Sequence, residues 1–389
     1  MSDLYRSALS SRISRLPMDI PHEDEDDDDE ESEAADQIAS LPGSMGPPPT
    51  RSPYARQQSG GASSTTPNPR FAPISASGYF DAANQVSVSS RGLESRVYYT
   101  PPKYAGRNGT VIFCHHGAGY SGLSFACFAQ EVKDLSAGNC GVMSLDARRH
   151  GRTTSQHADN EDLSIEVLIE DFVELVRALF PKPEDAPTFI MVGHSMGGSV
   201  VARATPKLQA LNYAVGGVAV LDAVEGFALE ALPHMQQLLN SRPDGFPSIE
   251  RAIEWHVSTD TIRNPDSARV SIPGCVTALD PADTTEGPRK QKWVTPLRST
   301  SSYWTSWFEG LSTSFLAVKA ARLLVLAGAE RLDKELMIGQ MQGKFQLEVV
   351  PNVGHILHED DPRKLAEIIV DFWRRNERVI PGVKKVGDS

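Results

Sequence analysis

The pentapeptide Gly193-His194-Ser195-Met196-Gly197 has the residue types and spacing of a nucleophilic serine held at a sharp turn. A short apolar run, residues 188–192, precedes it, and a segment of helical character follows it. In this strand–turn–helix context the serine hydroxyl is exposed, and the next backbone N–H points at a developing oxyanion. The glycines let the two backbone segments pass closely without Cβ clashes. We therefore predict acyl-transfer chemistry with Ser195 as the nucleophile.

A nucleophilic serine needs a general base, and two histidines near the end of the chain are candidates. His355 lies between the last apolar run, residues 345–350, and the last helical segment. This position places it in a loop at the carboxyl edge of a sheet, where Ser195 also emerges. His358 is its rival, and we interpret it as a surface or packing histidine.

The base in turn needs an acid that orients it, and two aspartates compete for that role. Asp222 closes the apolar run 215–221, and Asp333 shortly follows the apolar run 322–326. Both therefore stand at the carboxyl end of a predicted strand, and the residue pattern leaves both open. Either choice gives the order Ser, Asp, His along the chain.

The oxyanion of a tetrahedral intermediate needs backbone donors, and a second glycine-rich turn can supply one. The apolar run 110–114 ends in His115-His116-Gly117-Ala118-Gly119. We predict that the N–H of Met196 and the N–H of Ala118 or Gly119 form the oxyanion hole. Asp146 and residues 148–151 follow the run 141–145, and we interpret them as structuring the loop beside the site.

Composition and charge exclude several classes of protein. The formal net charge of the 389 residues is -12, and eleven acidic residues without a Lys or Arg lie between Glu23 and Asp36. The remainder is nearly neutral, which argues against nucleic-acid binding through a basic surface. No apolar run approaches the length of a membrane span, so we expect no membrane association. The four cysteines form no C-x-x-C pair, which suits a reducing compartment.

Short apolar runs alternate with helical periodicity from about residue 97 onward, which predicts an α/β fold with a mostly parallel central sheet and helices on both faces. The predicted strands are residues 110–114, 141–145, 188–192, 215–221, 322–326 and 345–350. Residues 165–180 and a segment opening at Asp361-Pro362 are predicted helices. The alternation stops over residues 225–319, which we interpret as a lid of helices and loops inserted before the penultimate strand; within it, residues 281–298 are predicted to be a loop.

We therefore divide the chain into residues 1–70, a disordered acidic tail rich in Ser and Pro; 71–224, the first part of the core; 225–319, the lid; and 320–380, the second part of the core. The first 16 residues weakly resemble a mitochondrial transit peptide. We expect the cytoplasm or the nucleus, with mitochondria as the minority alternative. In the lid, the aromatic residues Tyr303, Trp304, Trp307 and Phe308 are interpreted as core of the lid, with a docking surface as the alternative.

With the triad order and the lid in place, the sequence resembles the protein phosphatase methylesterases, which are α/β-hydrolases, from about Phe71 to about Arg375. The most specific segments are residues 326–336, residues 338–346, Leu221-Asp222-Ala223-Val224-Glu225-Gly226, Ile262-Arg263-Asn264, residues 267–271 and Gly354-His355-Ile356-Leu357-His358-Glu359-Asp360. The resemblance implies Asp222 as the triad acid, beside Ser195 and His355. The sequence departs from the family pattern at Ala118, where a glycine is common in the family.

The resemblance further implies a serine carboxylesterase that removes the methyl ester from the C-terminal leucine of the protein phosphatase 2A catalytic subunit, without metal or organic cofactor. The implied partner is that subunit with its methylated tail and its core complex, docked on the lid side. An alternative from another class is a stoichiometric inhibitor that binds inactive phosphatase and has secondary esterase activity. A third alternative is a small-molecule esterase of the same fold.

Overall fold

The computed structural model describes residues 67–156, 161–279, 289–328 and 332–377. The strands in these ranges are β1 (Ala82–Val88), β2 (Leu93–Thr100), β3 (Thr110–His115), β4 (Cys140–Leu145), β5 (Thr154–Ser155), β6 (Thr188–His194), β7 (Val215–Leu221), β8 (Gly245–Phe246), β9 (Val276–Ala278), β10 (Gln291–Trp293), β11 (Ala321–Leu326) and β12 (Gln346–Val349). The predicted disordered tail lies almost entirely outside the described residues, which begin at Pro67.

The main sheet has the strand order β1-β2-β4-β3-β6-β7-β11-β12, and β5 pairs with β2. From β4 to β12 neighbouring strands are parallel, whereas β1, β2 and β5 are antiparallel additions at one side. The six strands predicted from apolar runs are confirmed, with ends that shift by at most two residues. The mostly parallel α/β fold predicted from the sequence is thus the observed one.

The helices in the described ranges are α1 (Ala126–Leu135), α2 (Ile165–Leu179), α3 (Met196–Ala210), α4 (Glu225–Ser241), α5 (Ile249–Ser258), α6 (Pro265–Ser271), α7 (Trp304–Phe308), α8 (Leu311–Ala317), α9 (Lys334–Met341), α10 (Leu357–Asp360) and α11 (Pro362–Glu377). No helix in these ranges is long and apolar enough to cross a membrane. The helix expected to open at Asp361-Pro362 begins at Pro362, and Asp361 Oδ1 accepts the Lys364 N–H at 2.9 Å.

The two faces of the sheet bury two apolar cores, because successive side chains of a strand point to opposite faces. Along β3, Val111 and Phe113 join a core that contains α2 and α3, whereas Ile112 and Cys114 join a core that contains α1 and α11. The four side chains are fully buried. Layers on both sides therefore fix β3, β6 and β7, whose carboxyl ends carry the candidate site.

Residues 225–319 stand between β7 and β11, as predicted, and we call them the insertion. Besides helices they contain a three-stranded sheet in the order β8-β10-β9, so the expectation of helices and loops alone was wrong. Of the predicted loop 281–298, residues 291–293 form β10, and residues 281–288 lie outside the described ranges. Trp304, Trp307 and Phe308 are buried, as interpreted from the sequence, and they belong to the main core.

Candidate active site

Ser195 stands at the turn between β6 and α3 in a strained backbone conformation. Its φ is 51° and its ψ is -120°, a combination that L-residues rarely adopt. The Ser195 N–H donates to the carbonyl oxygen of Leu221 at 3.0 Å, which ties the turn to the end of β7. A serine in this conformation at a strand-to-helix turn is the arrangement of a nucleophile elbow.

The glycines on either side of the turn are required by close packing. A Cβ at Gly193 would lie 2.2 Å from the carbonyl oxygen of Gly197, and a Cβ at Gly197 would lie 2.3 Å from that of His115. Both distances are too short for any side chain. The G-x-S-x-G spacing is therefore explained by the passage of β6, α3 and the end of β3 within contact distance of one another.

His355 and Asp222 form a pair beside this turn. The distance between His355 Nδ1 and Asp222 Oδ2 is 2.7 Å. Since a carboxylate can only accept, Nδ1 carries the proton in this pair and Nε2 is left with a lone pair. The Asp222 side chain is 3% exposed, whereas that of His355 is 37% exposed, so the imidazole reaches solvent while the carboxylate is covered.

The end of β11 holds Asp222 in place. Asp222 Oδ1 accepts the N–H of Ala327 at 2.8 Å, and the Asp222 N–H donates to the carbonyl oxygen of Val325 at 2.8 Å. Each carboxylate oxygen therefore has a separate donor, one from the backbone and one from the imidazole of His355. This arrangement fixes the orientation of the carboxylate, and through it that of the ring.

Asp333, the other acid left open by the sequence, serves a different purpose. Its Oδ1 accepts the N–H of Leu336 at 2.9 Å and so caps the first turn of α9. Its other oxygen accepts the hydroxyl of Ser312 at the start of α8. The structure thus brings Asp222, and not Asp333, to the imidazole of His355.

His194, the residue before the serine, connects the turn to the loop of His355. Its Nε2 lies 2.8 Å from the carbonyl oxygen of His355, and the two ring centroids are 4.6 Å apart. Because a carbonyl can only accept, Nε2 is the protonated nitrogen. Burial lowers the pKa of His194 well below its usual value, so the ring is neutral next to the imidazole of His355.

His358 is a packing residue, which agrees with one of the two interpretations made from the sequence. It is 1% exposed, and its ring stacks on Phe125 with a centroid distance of 4.4 Å. Burial lowers its pKa to about 3. A buried ring that is neutral at ordinary pH and lies against Phe125 is poorly placed to act as the general base.

The three predicted oxyanion donors, Met196, Ala118 and Gly119, differ in position and in hydrogen bonding. Met196 begins α3, where backbone N–H groups have no helical partner. Ala118 is half-buried in the turn after β3. The Gly119 N–H, however, donates to His150 Nε2 at 2.9 Å. The prediction of Gly119 as an oxyanion donor is therefore wrong, because its N–H already bonds to His150. The N–H groups of Met196 and Ala118 remain as the candidate pair.

The loop after β4 braces this turn, as interpreted from the sequence. His150 Nδ1 donates to the carbonyl oxygen of Arg148 at 2.8 Å, which leaves Nε2 free to accept from Gly119. Asp146 accepts the N–H groups of Gly122 and Arg152, each at 2.7 Å. Burial raises the pKa of Asp146 to about 6 and lowers that of His150 to about 4.

Sequence reasoning missed the role of His194, and for His150 it predicted a structural role in its loop but not the bond to Gly119. His194 occupies a variable position of the pentapeptide, and the pattern contains no signal for its bond to His355. His150 acts on a turn that lies 31 residues earlier in the chain. Only the parallel pairing of β3 with β4 brings these two loops together.

The fold and the arrangement of Ser195, His355 and Asp222 are those of α/β-hydrolases. A model of the alpha/beta hydrolase family matches residues 111–368, so the chain belongs to that family. The solved structure of E-2-(acetamidomethylene)succinate hydrolase aligns with a TM-score of 0.57 at 17% identity, over 75% of this chain and 99% of that one. A thioesterase domain from the curacin biosynthetic pathway aligns with a TM-score of 0.54 at 14% identity, over 74% of this chain and 99% of that domain. These two structures support the fold alone.

Within the α/β-hydrolases, the chain belongs to the protein phosphatase methylesterase family. It is 42% identical over 421 residues to protein phosphatase methylesterase 1 of Cryptococcus neoformans, covering 100% of this chain and 96% of that protein. It is 40% identical over 392 residues to protein phosphatase methylesterase 1 of Aspergillus fumigatus, covering 97% of this chain and 90% of that protein. The resemblance stated from the sequence is thus confirmed.

Proposed function

We propose that this protein is a serine esterase that removes the methyl ester from the C-terminal leucine of the protein phosphatase 2A catalytic subunit. The observation that carries the proposal is the bond between His355 Nδ1 and Asp222 Oδ2 beside the strained turn of Ser195. Membership of the methylesterase family supports the substrate. Residues 71–224 and 320–380 act as the catalytic core, and residues 225–319 act as a lid.

The reaction proceeds by acyl transfer. His355 takes the proton from Ser195 Oγ as this oxygen attacks the leucine ester carbonyl, and Asp222 stabilises the imidazolium that forms. The N–H groups of Met196 and Ala118 bind the oxyanion, and each such donor contributes about 10²–10³ in turnover. The imidazolium then protonates the departing methoxide, and methanol leaves.

Water completes the cycle. His355 Nε2 removes a proton from a water molecule that attacks the acyl carbonyl, and the tetrahedral intermediate collapses to free leucine carboxylate and Ser195. Each step uses only side chains and backbone groups of the chain together with water. The exposed fraction of the His355 side chain, 37%, is consistent with access for this water molecule.

A methyl group alone offers too little contact area for specificity, so the phosphatase must contact a wider surface. Helix α9 supports such a surface, because three of its apolar side chains are exposed: Met341 by 83%, Met337 by 50% and Ile338 by 44%. Ile338 and Met341 belong to residues 338–346, a segment that the sequence marked as specific to the family. We therefore extend the docking area expected on the lid side to include α9.

The test is demethylation of the phosphatase itself. Carboxyl-methylated phosphatase 2A catalytic subunit is incubated with the wild-type protein and with Ser195→Ala, and the mass of its C-terminal peptide is measured. We expect wild type to remove the methyl mass and Ser195→Ala to retain it. Binding of the phosphatase without demethylation by wild type would instead support the stoichiometric inhibitor. If the wild-type protein cleaves only simple esters, the proposed substrate is wrong and the third alternative, a small-molecule esterase of the same fold, is supported.

A further inference from the structure

Arg242, at the end of α4, lies in an aromatic box within the insertion. Its guanidinium carbon is 3.8 Å from the ring centroid of Trp293 and 5.9 Å from that of Trp255. Phe246 completes the box, with centroid distances of 5.2 Å to Trp293 and 6.0 Å to Trp255. Such faces attract a cation, but they do not neutralise its charge.

The charge of Arg242 has no carboxylate counterpart among the residues that the structure describes. Arg298, its neighbour in the fold, differs in this respect, since it pairs with Asp244. The Nε of Arg242 is buried and has no hydrogen-bond partner in the described ranges. Burial also lowers the pKa of Arg242 from its usual value. A covered guanidinium without an anion is costly, and an incoming carboxylate would offset that cost.

Two independent contacts place Arg242 beside the oxyanion turn. Tyr120 directly follows Gly119 in that turn and packs against the apolar cluster of the insertion that contains Phe246, and the box residues Trp255 and Trp293 pack against the same cluster. Leu297 packs against Gly119, since a Cβ there would lie 2.5 Å from Leu297 Cδ1. The adjacent Arg298 donates to the carbonyl oxygen of Arg242 at 2.6 Å.

We propose that Arg242 forms a carboxylate-binding subsite for an acidic side chain that precedes the ester-bearing leucine of the polypeptide substrate. The proposal rests on the proposed function and deepens it. The ester itself is uncharged, so a guanidinium beside the turn has no partner in the reacting group. A planar guanidinium binds a carboxylate through two parallel hydrogen bonds, which makes this contact selective for acidic peptides.

The test is a double-mutant cycle that combines substitution of Arg242 with substitution of an acidic residue in the substrate peptide. Peptide leucine methyl esters carry a single aspartate at each of the last few positions before the leucine, and each has a matched asparagine peptide. For wild type we expect one position at which aspartate raises kcat/KM about 10-fold or more over asparagine. In Arg242→Gln this ratio should fall to near 1, and Arg242→Lys should retain part of it.

Arg289→Gln is the matched control, because this exposed arginine of the insertion has its own carboxylate, Asp244, at 3.4 Å, and it should keep the wild-type ratio. A lower rate of Arg242→Gln with both members of each pair, at an unchanged ratio, would assign Arg242 a purely structural role and overturn the proposal. Equal turnover of aspartate and asparagine peptides by wild type would also overturn it, while the proposed function stands. If wild type cleaves neither these peptides nor the methylated phosphatase, the proposed function itself fails.

Discussion

The Nε2 of His194 lies 2.8 Å from the backbone carbonyl oxygen of His355, so the residue before the candidate nucleophile holds the loop of the candidate base. The two loops come from β6 and from the segment after β12, which are far apart in the sheet order. This partly buried hydrogen bond ties the two loops together. The imidazole of His355 is thereby fixed through both its backbone and its ring.

His194→Phe should lower kcat about 10-fold to 100-fold with little change in KM, because small displacements of a reacting group are costly. His194→Gln retains an N–H that can reach the same carbonyl, and it should recover much of the loss. Steady-state kinetics on a peptide leucine methyl ester measures both effects. The control is His358→Phe, which keeps the stacked ring on Phe125. Equal losses in His194→Phe and His194→Gln would show that the hydrogen bond does not matter.

Substitutions of the two aspartates should have different effects: that of Asp222 should lower activity, and that of Asp333 should lower stability. Asp222→Asn should lower kcat about 10⁴-fold, since an amide can no longer hold the Nδ1–H tautomer of His355. Asp333→Ala should retain activity but lose about 1 kcal/mol of unfolding free energy, because it removes the cap of α9. Ester hydrolysis and urea unfolding of the two variants give both quantities. A large kinetic loss in Asp333→Ala would contradict the assignment.

Met341→Asp should weaken action on the phosphatase and spare small esters. The side chain is 83% exposed, so a charge there costs little in folding but disfavours burial against a partner. We expect kcat/KM for the methylated phosphatase to fall at least about 10-fold, whereas that for p-nitrophenyl acetate stays near the wild-type value. A matched change at another exposed apolar residue, Tyr104→Asp, should leave both values unaltered. Equal phosphatase kinetics for wild type and Met341→Asp would exclude α9 from the docking area.

The sequence predicts the parallel strands well because they are buried on both faces and stand out as apolar runs. It does not reveal β1, which has four exposed side chains among its seven residues and therefore shows no apolar run. The strands of the insertion, β8 to β10, have only two or three residues, which is too short for any periodicity. These elements are set by pairing partners rather than by their own residues.

At the site, the local motifs indicate Ser195 and His355, but they cannot choose between Asp222 and Asp333. Both aspartates follow a strand, and only the three-dimensional partners distinguish them. The Ala327 N–H orients Asp222 toward His355, whereas the Leu336 N–H orients Asp333 toward α9. The choice of Gly119 as a donor fails for the same reason, since His150 reaches it from a different loop.

Acid should destabilise the fold through its buried histidines. Burial lowers the pKa of His256 to about 3 and that of His150 to about 4, below the value of about 6.5 in an unfolded chain. Between these values the unfolded chain binds more protons, so the unfolding free energy falls as the pH drops from about 6.5 toward 4. Asp146, whose pKa is raised to about 6, acts in the opposite direction between about pH 6 and 4. Burial also raises the pKa values of Glu359 and Asp360, which act in the same direction as Asp146. Among the described residues, these three carboxyl groups are outnumbered by six buried histidines with lowered pKa values: His115, His116, His150, His194, His256 and His358.

Urea unfolding at pH 7 and pH 5 measures this effect. Each buried histidine should contribute up to about 1.4 kcal/mol per pH unit. His256→Gln should lower the stability at pH 7 yet show a flatter dependence on pH, because one proton fewer is taken up on unfolding. An identical pH dependence in wild type and His256→Gln would exclude His256 as a contributor.

The proposed function requires that Ser195 attacks the methyl ester of the phosphatase leucine, and trapping the product of that attack tests this step. Wild-type protein is mixed with carboxyl-methylated phosphatase, quenched in acid within the first turnover, digested and analysed by mass spectrometry. We expect a leucine ester on Ser195 that forms together with the first methanol. The adduct should be missing from Ser195→Ala and greatly reduced in Asp222→Asn. Methanol release without any adduct on Ser195, or an adduct on another residue, would contradict it.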